Sequence, residues 1–276
     1  MKKRYRRYGA TILLLTILVS LSGCTTIDKI EKKLGWKTEY FQYLSSDNVE
    51  QVSIQSTRDL GFKFIVTEEA TKREIYNFLS KAQISETKNP LDPDYIIEFD
   101  LGDEVQKFYF VVDNDGGNFY NDSGIYTVSA SLVDSVIQNL SFTRKPKYFE
   151  SIYFDSIEEV LKTVKNSLEN KDVSVGVNIQ GDVECLKYVY SDDIQYFLKN
   201  ARKIFSNVDM VQNNSGDFQV VLTVKNRGFN TTTYKTAITV ANKEENTEHT
   251  YYIVAYYEYK KWNVTVSEAD VKPNDW

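Results

Sequence analysis

The side chains best suited to chemistry are few, and they stand apart. The chain of 276 residues holds two cysteines and one histidine. Cys24 follows an apolar run and is the only strong nucleophile in that stretch. Cys185 lies within Val183-Glu184-Cys185-Leu186-Lys187-Tyr188-Val189. There Val183, Cys185 and Val189 could share one face of a strand, so a buried inert thiol is expected rather than a nucleophile. His249 follows the acidic turn Glu244-Glu245-Asn246-Thr247-Glu248. A lone histidine excludes multi-histidine zinc sites. No spacing ties it to Cys185 as a nucleophile–base pair, and an exposed turn histidine is expected. Asp113-Asn114-Asp115-Gly116-Gly117 resembles the start of a calcium loop, but Asn118 stands where an EF-hand needs glycine and Gly124 where it needs glutamate. A polar hairpin turn is expected instead. Acidic pairs recur throughout, and none stands out as an acid–base couple. The sequence therefore points to no catalytic residue, no metal ligand and no cofactor.

Aromatic side chains are the more suggestive feature. Tyr251, Tyr252, Tyr256, Tyr257, Tyr259 and Trp262 crowd the last strand-like segments. Alternation along a strand sends one set inward and the other to solvent. Exposed tyrosines form contact surfaces for proteins or glycans. Packing in the core and along sheet edges is the plainer account, since aromatics favour strands in any case. If this region binds a partner, contact is expected at Tyr252, Tyr257 and Trp262.

The beginning of the chain carries an address. Lys2, Lys3, Arg4, Arg6 and Arg7 precede an apolar run from Ala10 to Leu21, the charged and apolar regions of an export signal. About 12 residues are too few for a bilayer core that needs ~20. The run ends in Leu21-Ser22-Gly23-Cys24, which resembles the bacterial lipobox at all four positions. The resemblance implies diacylglycerol on the Cys24 thiol, cleavage between Gly23 and Cys24, and acyl chains of the palmitate class in the membrane. Two acyl chains hold a protein durably where one does not. The expected location is thus the outer face of the cell membrane.

Charge narrows the partners. Without residues 1–23, which hold five basic side chains and no acidic one, the balance is 28 basic to 39 acidic, a net of −11. That opposes phosphate backbones, so no nucleic-acid partner is expected. With Cys24 lipidated, Cys185 has no disulfide partner, and the fold must rest on its apolar core. Lys29, Lys32, Lys33 and Lys37 follow the anchor, mixed with Asp28 and Glu31. They suit a solvated tether over residues 24–45 or contact with anionic head groups.

The remaining length suits two α+β domains, each an antiparallel sheet packed with one or two helices. In residues 46–142, strands are expected at Val52–Ile54, Gly61–Val66, Tyr95–Phe99, Lys107–Val112 and Ile125–Val128. A helix over Thr71–Ala82 would open on a Thr71–Glu74 capping box and bury Ile75, Phe78, Leu79 and Ala82. A second would start at Ser131. Residues 141–150 read as a linker. In residues 150–270, capping signals at Ser156 and Ser191 predict two helices. Strands are expected at Val173–Ile179, Val183–Val189, Phe218–Val224, Thr233–Val240, Thr250–Tyr259 and Trp262–Val266, with Asn226-Arg227-Gly228, Ala241–Asn246 and Lys260-Lys261 as turns.

The order of elements in 48–140, with the Asp92-Pro93-Asp94-Tyr95 lead-in and Ile125-Tyr126-Thr127-Val128, resembles the YhfM-like lipoprotein domain of low-GC Gram-positive bacteria. That family implies no established activity. Residues 150–270 are similar to a nuclear-transport-factor-2-like (cystatin-like) domain through the opening helix Ser156–Glu169, the Asn170-Lys171-Asp172 exit and the terminal Lys261-Trp262-Asn263-Val264. That resemblance implies a curved sheet wrapping a helix, with a cavity that some members use for catalysis and many for binding. The expected function is a lipid-anchored, non-catalytic binding or envelope-assembly module with a protein or glycan partner. The alternative is a hydrolase or isomerase using a cavity in the second domain.

Overall fold

The computed structural model describes residues 38–113, 117–137, 145–168, 172–274 and 276. The expected signal, the lipobox with Gly23 and Cys24, most of the tether, and the tip of the Asp113–Asn118 turn lie outside them. Two sheets with separate apolar cores form the two expected α+β domains.

The first domain comprises β1 (Gln51–Ser56), β2 (Lys63–Val66), α1 (Glu69–Leu79), β3 (Gln83–Ile84), β4 (Tyr95–Asp100), β5 (Val105–Val111), β6 (Gly117–Asn121) and β7 (Gly124–Val128). Its strands pair antiparallel in the order β2-β1-β4-β5-β6-β7-β3. Period-2 burial places Val52 and Ile54 of β1 beside Tyr95, Ile97 and Phe99 of β4 on the core face. Ile75 and Leu79 of α1 close that face, together with Val133, Val136 and Ile137 of a π-helical turn (Val133–Ile137). Gly117 is required by packing: a Cβ there would stand 1.9 Å from the Phe110 ring. The helix starts earlier than its expected capping box. Glu68, in extended conformation, takes the N-cap position, and Thr71 donates to its Oε2 at 3.0 Å from inside the first turn.

The second domain holds α2 (Phe149–Ser167), β8 (Val175–Asn178), α3 (Val183–Leu186), α4 (Ser191–Ile204), β9 (Val208–Met210), β10 (Val220–Phe229), β11 (Thr233–Asn242), β12 (Thr247–Glu258) and β13 (Lys261–Val266). The sheet order is β13-β12-β11-β10-β8-β9. It is mixed, because β8 runs parallel to both β10 and β9. Buried faces of α2 and α4 join one side of this sheet in a single core.

Several expectations shift here. Helix α2 begins at Phe149, two turns before Ser156, because Phe149, Ile152 and Tyr153 extend its apolar face. Ser156 is interior and donates to the Ile152 carbonyl at 2.6 Å. Val183–Val189 is not a strand. The Asp182 carbonyl accepts from the Cys185 and Leu186 amides, starting a short helix that buries these adjacent residues together, which alternation cannot do. Ser191 is the first helical residue rather than the cap, which is Tyr190. Asn226-Arg227-Gly228 is not a turn but a bulge within β10, with Gly228 at φ +134°. Among the described residues, no helix is long and apolar enough to cross a membrane.

Candidate functional site

The two domains meet at Asp94, and the site grows from there. Asp94 ends the rigid Asp92-Pro93 lead-in, just before β4, and is 2% exposed. Its Oδ1 pairs with Arg58 Nη1 at 2.6 Å and accepts the Ser191 amide at 2.8 Å. Its Oδ2 accepts the Val112 amide at 2.7 Å. A carboxylate of the first domain thus accepts the first amide of α4 in the second, where the helix dipole favours negative charge. Ser191 Oγ donates to the Asp92 carbonyl at 2.8 Å and accepts from Arg58 Nη2. Tyr95 Oη donates to the Lys187 carbonyl at 3.2 Å. Tyr190, from the second domain, packs against the first domain's core with its ring 6.3 Å from Tyr95. Burial pushes the Asp94 carboxyl above the ordinary range, against the downward pull of Arg58 and the two amides.

Beside this latch lies a cleft of about 820 Å³ with walls from both domains. The Thr57–Arg58 and Pro90–Pro93 segments form one wall. The other comes from Ile179–Gln180, Leu186, the first two turns of α4, and Met210–Asn213 at the end of β9 and beyond it. The lining combines aliphatic side chains (Leu91, Ile179, Ile194, Leu198, Val211) with side-chain amides (Gln180, Gln195, Gln212, Asn213). Clefts between domains with a few placed polar groups are common ligand sites. The hydroxyls of Thr57 and Ser191 both donate to lead-in carbonyls, so neither is poised as a nucleophile.

A second groove of about 750 Å³ runs between α2 and α4 and carries Glu150, Asp155, Glu158, Asp192 and Asp193 with Lys199 and Arg202. Burial and the nearby Glu150 carboxylate raise Asp193 to about 7, against the downward pull of the Tyr190 amide.

The aromatic residues singled out from sequence divide. Tyr257 and Trp262 are cross-strand partners, ring centres 5.4 Å apart, on the core side of the β12–β13 hairpin. Tyr148 stands 5.9 Å from Tyr257, and Lys147 Nζ lies 5.0 Å from the Tyr257 ring centre. Trp262 Nε1 donates to the Lys147 carbonyl at 2.7 Å, which pins the interdomain linker to the sheet. Tyr252 points to the opposite face by strand alternation and meets Trp276 edge-on at 4.8 Å.

His249 is not in a turn. It lies in β12, with Nδ1 2.7 Å from Asp270 Oδ2, and this bond and the Thr250 amide hold Asp270 below its ordinary value. Cys185 is buried, and desolvation with the Asp182 charge pushes its thiol far up, as an inert core residue requires. Sequence reading passed over the polar group around it. Asp182 is 3% exposed and takes the Asn226 amide on Oδ1 at 2.8 Å, while its Oδ2 and the Tyr153, Tyr234 and Thr236 hydroxyls are buried without a closed hydrogen bond. None of these residues lines either groove.

The Asp94 latch, too, escaped sequence reading, although its lead-in was part of the family resemblance. No curated protein and no solved structure matches the chain significantly. Residues 45–146 match the family model described as YhfM protein, so the first domain, Asp94 and its lead-in included, is YhfM-like.

Proposed function

We propose that the protein is an exported lipoprotein of a Gram-positive cell, anchored through Cys24, that uses the cleft between its domains to bind a partner without catalysis. The cleft beside the Asp94 latch carries this reading. Its amide and aliphatic lining offers hydrogen bonds and apolar contact, and its two hydroxyls are already engaged. Leu21-Ser22-Gly23-Cys24 supports the anchor. The order α2, β8, α3, α4 and then a long-stranded sheet supports a nuclear-transport-factor-2-like second domain. The partner is an envelope protein or glycan.

Two measurements test it. Cys24→Ala should abolish incorporation of a clickable fatty acid and release the protein from membranes; a variant still labelled and retained refutes the anchor. A photo-crosslinking residue in place of Gln212, which lines the cleft and not the second groove, should capture one partner on intact cells. Capture no different from that at Thr239, on the sheet face away from the core, refutes the cleft.

A second reading, a hydrolase or isomerase in the second domain, draws on the convergence of Asp182 with Tyr153 and Tyr234. All three are sealed in the core, so it requires that core to open. Turnover that survives Asp182→Asn excludes this reading.

A further inference from the structure

The β12–β13 end of the second domain gathers aromatic and basic side chains in a way the cleft does not use. The β12–β13 hairpin turns on Tyr259-Lys260, both left-handed, at φ 52° and 65°. Asn-Gly is the usual low-energy choice for such a turn. Tyr259 is 92% exposed, the most exposed large apolar side chain among the described residues. Tyr257 and Trp262 flank the turn, and Tyr148, 62% exposed, leans on Tyr257 from the linker. The linker is held to this end by the Lys147 amide on the Thr231 carbonyl and by Trp262 on the Lys147 carbonyl. In segments 145–148 and 256–262, Lys145, Lys147, Lys260 and Lys261 stand against Glu258 alone, in a chain that is strongly acidic once residues 1–23 are set aside.

We infer that this hairpin end is a membrane-contact surface, with Tyr259 and Tyr148 at head-group depth, backed by Trp262 from the core side, and Lys260, Lys261 and the linker lysines on anionic lipid phosphates. Tyrosine and tryptophan sit at bilayer interfaces because their rings are apolar and their tips polar. Lysines beside them are drawn to the negative surface of an anionic leaflet. The charge contrast makes the choice of occupant: such a leaflet repels an acidic body and attracts a basic end of it. The 14 peptide steps from Cys24 to Thr38 reach at most about 50 Å, enough slack for an anchored chain to lay this end on the bilayer.

The inference deepens the anchored reading but is tested without the anchor, so that each can fail alone. The chain of residues 25–276 keeps every described residue of both cores and carries no lipid. It should co-sediment with phosphatidylcholine vesicles containing about a third phosphatidylglycerol, with binding that weakens as salt rises, and much less with phosphatidylcholine alone. Lys260→Gln with Lys261→Gln should weaken binding about 25-fold, about five-fold per lysine. Tyr259→Gly, which suits the left-handed turn, should bind more weakly while unfolding at no lower temperature. Absence of sedimentation, equal sedimentation on both vesicles, or unchanged binding in either variant overturns the inference.

Discussion

Asp94→Ala should loosen the two domains from each other before it unfolds either. The substitution removes the acceptor for the Ser191 and Val112 amides and strands Arg58, whose Nη1 lies 2.6 Å from the carboxylate. Breaking one side of a buried pair costs about 3–5 kcal/mol, mostly through the uncompensated partner. That figure is compatible with the raised Asp94 pKa: the pair is no net source of stability, because burial opposes its charge, yet its rupture is expensive. Urea unfolding followed by circular dichroism should show the midpoint fall by an amount equivalent to about 4 kcal/mol, with a single transition splitting into two. Limited proteolysis with trypsin should cut after Lys147, in the linker, at urea concentrations where the wild type resists. Asp103→Ala, in the exposed β4–β5 turn, should change stability by less than about 0.5 kcal/mol. Arg58→Met added to Asp94→Ala should recover part of the loss, because it removes the stranded cation. If Asp94→Ala behaves like Asp103→Ala, or Arg58→Met makes matters worse by its full separate effect, the latch is not what joins the domains.

Other outcomes follow from the same geometry. Asp193 has a folded pKa of about 7 against an ordinary 3.8, so the stability linked to its protonated form is complete below pH 4 and disappears as pH rises through 7. Asp193→Asn should match the wild type at pH 4 and exceed it at pH 8. The unscreened gain is about 4 kcal/mol, and about 2 kcal/mol after solvent screening; thermal melts showing no gain at high pH contradict this. Tyr259→Asn with Lys260→Gly should stabilise the hairpin by about 1–2 kcal/mol by relieving two left-handed side-chain residues, and an unchanged or lower unfolding temperature contradicts it.

Periodicity made most of the architecture legible. Val52 and Ile54, Tyr95 to Phe99, and the Ile75–Leu79 face of α1 all bury the side chains their spacing selects. Some strands were missed: β3, with two residues, and β9, with three, carry too little pattern to register, and β6 opens on Gly117 and Asn118, which read as the end of a turn. Local signals also misled where a second group competed. Ser156 and Thr71 have the chemistry of caps, but apolar residues upstream carry α2 further back, and Glu68 takes the acceptor's place at α1. The candidate site was least visible. Asp94 read as part of a chain break because its partner, Ser191, lies 97 residues further on. No local pattern links a proline-flanked aspartate to a helix start in another domain. Tyr257 and Trp262 were legible as aromatics of the last strands, while their cross-strand pairing and the role of Trp262 as a pin for the linker depend on register and on how the chain returns to the sheet.

The latch also bears on how this chain can be divided. A piece ending at the linker would leave Asp94 and Arg58 facing water and strip Tyr190 from the side of the first core. A piece starting there would begin α4 with its opening amide uncapped. Each half, cut at the linker, would thus bare to solvent a corner that the other half now covers.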